Sequence, residues 1–485
     1  MSTECAAPRP PWPVLARQIT ELRRDEPARQ AVATDFGRLV RAVPDAVVFP
    51  HNVADIARTF RFANRYTIPV ALRGAGHCAG GLTLRERGIV IMMRSLDRIL
   101  NVDASRRWVD VEAGATWSAV WNATLSVGLI PPVTVDWHEL TVGGTLSSGG
   151  FGGQSFQAGL VIGHVLGLEI ITSAGDRVNC SPSTNPEVFD LVRGGLGRVG
   201  AIVTARLSLI PAPSKICVHE LYFACLADVL QSVAAFRAKR RVDAMTIIGL
   251  PRESVYEIAG LDDSARNSLS DRAAGGDTPE WIFRLNAGIY YSDHGDASAV
   301  EYPSRDDAKR KLIGTGFEVT RCETMVDFLH SAPPLMKRQN ADNEAHPELA
   351  LIIPEDAAPA IIASALREVS AESMGGGTVL IVPACLTERL TSLRLPHSDH
   401  GFLFSLLRAA DSRSSARIGA LTAHNYSLYE RFSASGATHY PVDALPASAF
   451  ERSTSPAPEP HFPALDPDGV LTRAADDSQD NRMRQ

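Results

Sequence analysis

Apolar and polar positions along the first part of the chain follow the periods of short strands and amphipathic helices. Val53–Tyr66 places apolar side chains three and four positions apart, which predicts a helix. Residues 14–43 predict a pair of amphipathic helices that ends before Pro44. Strands are predicted at 46–49, 68–72, 89–93 and 108–111. A β-α-β start followed by closely spaced strands predicts a mixed α+β fold.

The next hundred residues continue this pattern of short strands and helices. Thr116–Gly128 predicts another helix, which its final glycine would end. The glycine-rich passage Thr141–Gly153 is interpreted as a loop. It is followed by a hairpin over 165–178, with Gly175 at the turn position that tolerates positive φ. A strongly β run over 201–210 then closes the region.

These patterns divide the chain into domains. Residues 1–213 are predicted to form the first domain, with its core at about 41–213. The middle part, 214–425, alternates β runs with long helical patterns and predicts an α/β domain that caps the first. Residues 426–452 are predicted to return to the first domain. The tail, 453–485, is rich in Pro, Ser, Asp and Arg and is predicted to be mostly disordered.

Composition and charge exclude several classes of function. The 485 residues are 45% hydrophobic and 21% charged, as in an ordinary globular protein of two or three domains. The net charge of −7, without a basic patch, gives no field that attracts nucleic acid or an anionic membrane. No apolar stretch reaches the roughly 18 residues that span a bilayer. The seven cysteines lack any C-x-x-C pattern, which predicts unpaired thiols and a cytoplasmic enzyme.

The segment Arg73–Gly81 is glycine-rich and follows a predicted strand. Its Gly74-x-Gly76-x-x-Ala79 spacing also occurs in Rossmann folds. A Rossmann fold requires a helix after this loop, and only Leu82–Arg87 separates the loop from the strand at 89–93. We therefore interpret the segment as a nest of backbone N–H groups that cradles a pyrophosphate.

A second glycine series, Gly143–Gly153, is predicted to form the opposite wall of the same ligand site. The alternative is that both series are tight connections in a β-rich domain. His77 lies inside the first loop, where a nucleophilic imidazole could reach a bound cofactor. The alternative for His77 is an ordinary surface or hydrogen-bonded histidine. The adjacent Cys78 is interpreted as a small buried spacer.

Three ordered motifs carry a resemblance to a known superfamily. They are Arg73-Gly-Ala-Gly-His77, Asp136-Trp-His-Glu-Leu-Thr-Val-Gly-Gly-Thr-Leu-Ser-Ser-Gly-Gly150 and Arg193-Gly-Gly-Leu-Gly-Arg-Val-Gly-Ala-Ile202. Over about 41–213 the chain resembles the FAD-binding, PCMH-type domain of the vanillyl-alcohol-oxidase superfamily, and within it the cytokinin dehydrogenases. The resemblance implies a two-subdomain FAD-binding domain and a substrate (cap) domain.

The resemblance also implies which residues hold FAD. His77 would be linked to the 8α carbon of the flavin. The second glycine region contains no cysteine, so a single covalent link is expected. The implied cofactor-binding residues are Arg73, Gly74, Ala75, Gly76, His77, Cys78, Asp136, Thr141, Ser147, Phe151 and Ile202.

Asp136 matches the family's carboxylate that takes a proton from the substrate nitrogen as hydride leaves for flavin N5. Such a base must be ionised and yet basic, and partial burial beside Trp137 would raise its pKa. The residues alone also allow an aspartate that caps the turn before a glycine-rich segment. If the segment is extended, His138 points to the same face as Asp136 and is a second catalytic candidate.

Three features depart from the family pattern. The acidic cap residue that fixes the cytokinin side chain has no counterpart in Trp281–Tyr291, where Asn286 or Tyr290 is expected to face the pocket. The family's Gly-His-Ser is Gly-His-Cys here. The C-terminal helix that covers the flavin is shortened or missing, and Leu465–Leu471 resembles the remnant of its closing turn.

These observations predict an FAD-dependent oxidase or dehydrogenase that takes a hydride from a small amine, alcohol or related substrate. Oxygen or another acceptor would receive the electrons, and a role in secondary metabolism is expected by analogy. The alternatives are a cyclase or isomerase with a non-redox or absent flavin, and a ligand-binding protein that has lost FAD. His397 and His400 have a zinc-like spacing without a third ligand nearby in sequence, so a solvated loop is expected there.

Overall fold

The structure of the protein is a computed structural model. It describes residues 10–239, 242–258, 261–276, 278–291, 317–330, 343–388, 390–443, 445, 466 and 469–471. The predicted disordered tail therefore lies outside the described residues, except for four of its positions.

Strands and short helices dominate the described part of the chain. The strands are β1 Leu22–Arg23, β2 Ala46–Val48, β3 Val70–Arg73, β4 Ile89–Met92, β5 Ile99–Asp103, β6 Trp108–Glu112, β7 Leu129–Ile130, β8 Val165–Ile171, β9 Arg177–Cys180, β10 Ala201–Ser208, β11 Ile210–Pro211, β12 Lys215–Phe223, β13 Ala244–Pro251, β14 Trp281–Tyr291, β15 Phe317–Thr324, β16 Glu344–Ala345, β17 Leu349–Pro354, β18 Thr378–Cys385, β19 His400–Leu407, β20 Ala410–Asp411 and β21 Thr438–His439. The helices are α1 Trp12–Ala16, α2 Glu26–Ala31, α3 Val53–Tyr66, α4 Trp117–Leu125, α5 Val142–Ser148, α6 Ser155–Ala158, α7 Pro186–Val192, α8 Leu226–Lys239, α9 Asp263–Ala274, α10 Met325–His330, α11 Ala358–Glu368, α12 Ala371–Met374 and α13 Ser415–Ser433. Among the helices in the described ranges, none combines the length and apolar character that crossing a bilayer requires.

A four-stranded sheet begins the fold, in the order β1-β2-β4-β3. Strands β2, β4 and β3 are parallel, and α3 makes the crossover between β2 and β3. The side chain of Asn52 caps α3, and Ile56, Phe60 and Ala63 bury its apolar face against the sheet. Only turns and loop connect β3 to β4, which confirms that no Rossmann helix follows the glycine loop.

A five-stranded antiparallel sheet follows, in the order β5-β6-β10-β8-β9. The predicted hairpin is its β8–β9 pair, and Gly175 has a φ of +84° at the turn. The predicted helix after Thr116 is α4, capped by the Thr116 hydroxyl, and Gly128 follows it with a φ of +74°. Both glycines adopt the left-handed conformation that other residues rarely take.

An eight-stranded sheet contains most of the remaining strands, in the order β15-β12-β14-β13-β18-β19-β17-β21. Every pairing in it is antiparallel, so the expected α/β character of 214–425 is wrong and this part is also α+β. Helices α8, α11 and α13 pack on one face. The other face shares a hydrophobic core with the five-stranded sheet. This second face forms one wall of the cavity described below.

Two predictions about local structure are wrong. The helix pair expected over 14–43 is two short helices, α1 and α2, with the strand β1 between them. The passage interpreted as a glycine loop contains the helix α5 over Val142–Ser148. Thr141 caps α5 through its hydroxyl, and this cap outweighs the low helix propensity of Gly143 and Gly144.

The expectation that all thiols are unpaired is also wrong. Cys217 and Cys322 form a disulfide between the neighbouring strands β12 and β15, where they stand directly opposite each other. Because the two residues are 105 positions apart, sequence spacing gave no signal for the pair. Disulfides are typical of oxidising compartments, so the cytoplasmic location stays a prediction.

Thiol titration of the denatured protein tests this pairing. The seven cysteines minus the two in the disulfide leave five that react without reductant, and all seven react after reduction. Replacing Cys217 and Cys322 together by serine should make the two titrations equal. A count of seven in unreduced wild-type protein would show that the two cysteines are not bonded.

Candidate active site

The three motifs singled out in the sequence meet at one cavity of about 300 Å³. Its walls come from the loop after β3, from α5, from the start of β10 and from the inner face of the eight-stranded sheet. The predicted site residues that line it are Gly74, Ala75, Gly76, His77, Cys78, Asp136, Thr141, Ser147, Phe151 and Ile202.

The first glycine loop lies directly against the start of α5. A Cβ atom on Gly74 would come within 2.3 Å of the Thr141 hydroxyl, so no larger residue fits there without displacing the helix cap. Gly76 has a φ of +72°, and a Cβ on it would meet the Arg73 guanidinium. The two glycine-rich segments are therefore neighbours, as the sequence predicted, and they face one cavity.

The second and third motifs pack against each other. In α5, the Ser147 hydroxyl donates to the Gly143 carbonyl over 2.7 Å. The backbone N–H groups of Gly194 and Leu196 donate to the carbonyls of Leu146 and Ser147, each over 2.9 Å. These bonds hold the end of α5 beside the start of β10, where Ile202 lines the cavity.

His77 is held between two aromatic rings at the cavity wall. Its ring centroid is 4.3 Å from that of Phe36 and 5.8 Å from that of Trp137, which is nearly parallel to it. Burial, together with repulsion from His346, lowers the pKa of His77 to about 4. The imidazole is therefore neutral at physiological pH and keeps a nitrogen lone pair free for bonding.

Residues below the loop fix its path. The Asp35 carboxylate accepts hydrogen bonds from the Gly81 N–H over 2.7 Å and from the Cys78 thiol over 3.7 Å. Burial and the charge of Asp35 raise the pKa of the Cys78 thiol to about 12, which fits the predicted role of a neutral spacer. Arg73 does not line the cavity; it lies under Gly76 and donates to the Thr83 hydroxyl over 3.3 Å. Sequence reasoning missed Asp35, which carries no motif.

Asp136 lines the cavity without a protein partner. Within the described part of the chain, no residue donates a hydrogen bond or forms an ion pair with its carboxylate. Burial raises the pKa of Asp136 to about 6. A turn-capping aspartate would accept a nearby backbone N–H, and none does so here. The carboxylate is therefore free to bind a ligand in the cavity.

His138 does not line the cavity. Its placement beside Asp136 assumed an extended segment, and residues 137–140 instead form a turn closed by a bond from the Leu140 N–H to the Trp137 carbonyl. The turn directs His138 to the outer side of Trp137, where the two rings stack 5.9 Å apart. The geometry gives it no contact with a ligand in the cavity.

The eight-stranded sheet contributes an apolar wall and one acidic group. Leu380, Val382 and Leu403 line the cavity, and Glu348 lies beside them. The expectation that Asn286 or Tyr290 faces the pocket is wrong. Asn286 donates to the Thr246 hydroxyl, and the Tyr290 hydroxyl accepts from Gln154 over 2.7 Å, both outside the cavity.

The segment after α13 closes the site. The Tyr440 hydroxyl accepts from the Gly150 N–H over 3.2 Å, and its ring packs edge-on against Phe151 at 5.1 Å. The Val442 carbonyl accepts from the Ala79 N–H over 2.9 Å. These contacts join the eight-stranded sheet to the glycine loop. The return of 426–452 to the first domain stays a prediction, because β21 pairs within the eight-stranded sheet while Tyr440 and Val442 contact the glycine-rich segments.

The site fits a flavin dinucleotide by its shape and its chemistry. The backbone of the first glycine loop lines the cavity at Gly74 and Gly76. A neutral imidazole, that of His77, and an unpartnered carboxylate, that of Asp136, line the same cavity. Apolar side chains of the eight-stranded sheet complete a wall suited to an aromatic ring system.

Comparisons with known proteins agree with this geometry. Residues 44–181 match a family model described as an FAD binding domain. Cytokinin dehydrogenase 6 of Oryza sativa subsp. japonica is 30% identical over 428 residues, which cover 82% of this chain and 80% of that protein. An uncharacterized oxidoreductase, ORF5 in the fasciation locus of Rhodococcoides fascians, is 29% identical over 86% of this chain and 89% of its own. Cytokinin dehydrogenase 3 of Arabidopsis thaliana is 38% identical over 42% of this chain and 40% of its own.

The fold, the site and these matches define an FAD-dependent oxidoreductase. More narrowly, the chain belongs to the family of FAD-binding, PCMH-type oxidoreductases that includes the cytokinin dehydrogenases. The resemblance inferred from the three motifs is thereby confirmed.

Proposed function

We propose that this protein oxidises a small amine, alcohol or related organic molecule by removing a hydride, with Asp136 as the proton acceptor. The observation that carries the proposal is the Asp136 carboxylate, which lines the cavity without a protein partner and has a raised pKa. Bound FAD would supply the two-electron acceptor for the hydride. Loss of the N–H or O–H proton to Asp136 makes departure of the hydride from the adjacent carbon easier.

We further propose that His77 is the covalent anchor for FAD. Its neutral imidazole lies on the loop where no side chain fits at Gly74, and Phe36 and Trp137 fix the plane of the ring. The lone-pair nitrogen of His77 would bond to the 8α carbon of the flavin, that carbon would give up one hydrogen as a proton, and the imidazole would give up the proton on its other nitrogen. The two electrons released would leave with oxygen or another oxidant.

The same proposal assigns cofactor binding and substrate binding to different sheets. The four- and five-stranded sheets would form the two subdomains that hold FAD, within 1–213, and the eight-stranded sheet would form the substrate domain. Support comes from the cavity, because its glycine-rich wall comes from the first two sheets and its apolar wall from the third. The names of the relatives make cytokinins the first compounds to test, followed by other amines, alcohols and phenols.

Three finer points complete the proposal. Oxygen or another small acceptor would reoxidise the cofactor, the reaction would serve secondary metabolism, and the enzyme would act in the cytoplasm. The metabolic role rests on analogy with flavoenzymes that tailor small molecules. An anaerobic screen tests the redox proposal directly, because a true substrate bleaches the flavin. Turnover without bleaching would favour the cyclase or isomerase alternative.

The pH dependence of flavin reduction is a specific expectation. The Asp136 carboxylate is ionised above its pKa of about 6 and protonated below it. With a substrate that does not itself titrate in this range, the rate of anaerobic flavin reduction should rise with pH through about 6 and then level off. Stopped-flow measurements check this, and the rising limb should vanish in Asp136→Asn. A wild-type rate that is constant across this range would exclude Asp136 as the base.

A further inference from the structure

A second acidic side chain lines the cavity and has no part in the proposed redox step. Glu348 comes from the segment before β17, on the side of the eight-stranded sheet. We infer that Glu348 is a specificity-determining residue that donates a hydrogen bond to an acceptor atom at the end of the substrate remote from the oxidised carbon. This inference rests on the proposed function for the identity of the ligand as a substrate.

The strand geometry directs Glu348 into the cavity. Successive side chains of a strand point to opposite faces. Ala350 and Ile352 of β17 belong to the core shared with the five-stranded sheet, whereas Leu349 and Leu351 pack against the helices on the other face. Glu348 continues the first series by period two and therefore shares the face of Leu380, Val382 and Leu403.

The backbone around Glu348 is held firmly, while its carboxyl group is not satisfied. The Asn425 side chain donates to the Glu348 carbonyl over 3.1 Å, and the Ala350 N–H donates to Asp443 over 2.6 Å. Across the described ranges, the Glu348 carboxyl group has no hydrogen-bond partner. Glu348 is half-buried and faces the cavity, so a ligand that covers its carboxyl group must offer it a hydrogen-bond partner or leave it unpaired at a cost.

Its surroundings favour the neutral acid. Burial, together with repulsion from Asp443, raises the pKa of Glu348 to about 8. Asp443 itself is paired with His439 over 2.5 Å and does not line the cavity. Asp136 and Glu348 both line the cavity, and the charge that acts on Glu348 is that of Asp443. Near neutral pH, Glu348 therefore offers an O–H donor.

The two carboxyl groups that line the cavity then define a substrate class. Asp136 accepts a proton from an N–H or O–H next to the carbon that is oxidised. Leu380, Val382 and Leu403 contact a flat or apolar body. Glu348 donates to a weakly basic acceptor, either a carbonyl oxygen or an aromatic ring nitrogen. The predicted substrate is a neutral, largely apolar molecule with a donor at the reacting end and an acceptor at the other.

A matched pair of probes tests this assignment. N-benzylaniline and N-benzylpyrimidin-5-amine share the N–H and the benzylic carbon, and only the second carries ring-nitrogen acceptors. Calorimetric titration of the holoenzyme should show tighter binding of the pyrimidine probe. Glu348→Leu should reduce that affinity roughly tenfold and leave the aniline probe unchanged. Glu348→Gln, which keeps a donor, should retain most of it. Glu344→Leu, four residues earlier and outside the cavity, is the control for the substitution.

The outcomes separate this inference from the proposed function. Equal binding of the two probes, failure of both to bind, or a preference that survives Glu348→Leu would each overturn the role of Glu348. Anaerobic bleaching by the probes is recorded in parallel. Bleaching without dependence on Glu348 retains the redox proposal and rejects the inference. Binding that depends on Glu348 but causes no bleaching would support the contact with Glu348 and count against the redox proposal.

Discussion

Replacing Asp136 by asparagine is expected to slow anaerobic flavin reduction by about 10²–10⁴-fold, the usual contribution of a positioned general base. Asparagine keeps the size of the side chain but cannot take the proton. Because no described residue is bonded to the Asp136 carboxylate, the substitution breaks no internal contact, and the fold and flavin content should not change. Stopped-flow measurement of the flavin absorbance under substrate saturation gives the rate.

Asp97→Asn provides the matched control for this experiment. Asp97 is exposed and does not line the cavity, so the same chemical change there should leave the rate of flavin reduction at the wild-type value. The proposed role of Asp136 would be wrong if Asp136→Asn reduced the flavin at the wild-type rate. It would also be wrong if both variants were slowed equally.

Replacing His77 by alanine is expected to abolish covalent attachment of the flavin. The wild-type protein should keep its yellow colour in the pellet after acid precipitation, because a bonded cofactor stays with the unfolded chain. In His77→Ala the colour should move entirely to the supernatant, since the remaining contacts of the glycine loop are lost on unfolding. Absorbance of pellet and supernatant measures the two fractions.

His138→Ala is the matched control for His77→Ala. His138 stacks on the outer side of the same tryptophan that flanks His77, but it does not line the cavity. Its loss should leave the colour in the pellet. Wild-type flavin that is released fully by acid would show that the bond does not form, and colour that stays with His77→Ala would place it on another residue.

The sequence was sufficient for the parts of the fold that local rules determine. Helix α3 covers Val53–Tyr66, as its apolar period predicts, and Asn52 caps its start. The turn at Gly175 and the glycine after α4 adopt the positive φ that their positions require. The glycine loop lacks a following helix because too few residues separate β3 from β4, and the number of residues between the two strands can be read directly from the sequence.

Other parts depended on long-range contacts that sequence patterns do not show. Helix α5 contains two adjacent glycines near its start, and it forms because Thr141 caps it and the third motif packs on its end. The Cys217–Cys322 pair depends on β12 and β15 being neighbours across 105 residues. In both cases tertiary contacts override the local preference.

The candidate site was likewise predictable where local motifs determine it and not where long-range contacts do. The motifs identified the glycine loop, His77 and Asp136, and all of them line the cavity. They misplaced His138, because a turn replaced the extended segment that the alternation rule assumed. Glu348 was missed because it lies outside the three motifs, although its spacing of two from Ala350 and of four from Ile352 was a usable signal. The order of strands in the eight-stranded sheet was needed to show which face meets the cavity.

The flavin content of Gly74→Val tests the central claim most directly, because that side chain would occupy the point where the glycine loop meets the start of α5. Gly419→Val is the control, since Gly419 in α13 has open space around its Cβ position. Wild-type protein and Gly419→Val are predicted to carry close to one flavin per chain, and Gly74→Val almost none, with unchanged circular dichroism. Full flavin content in folded Gly74→Val, or none in the wild type, would contradict the account.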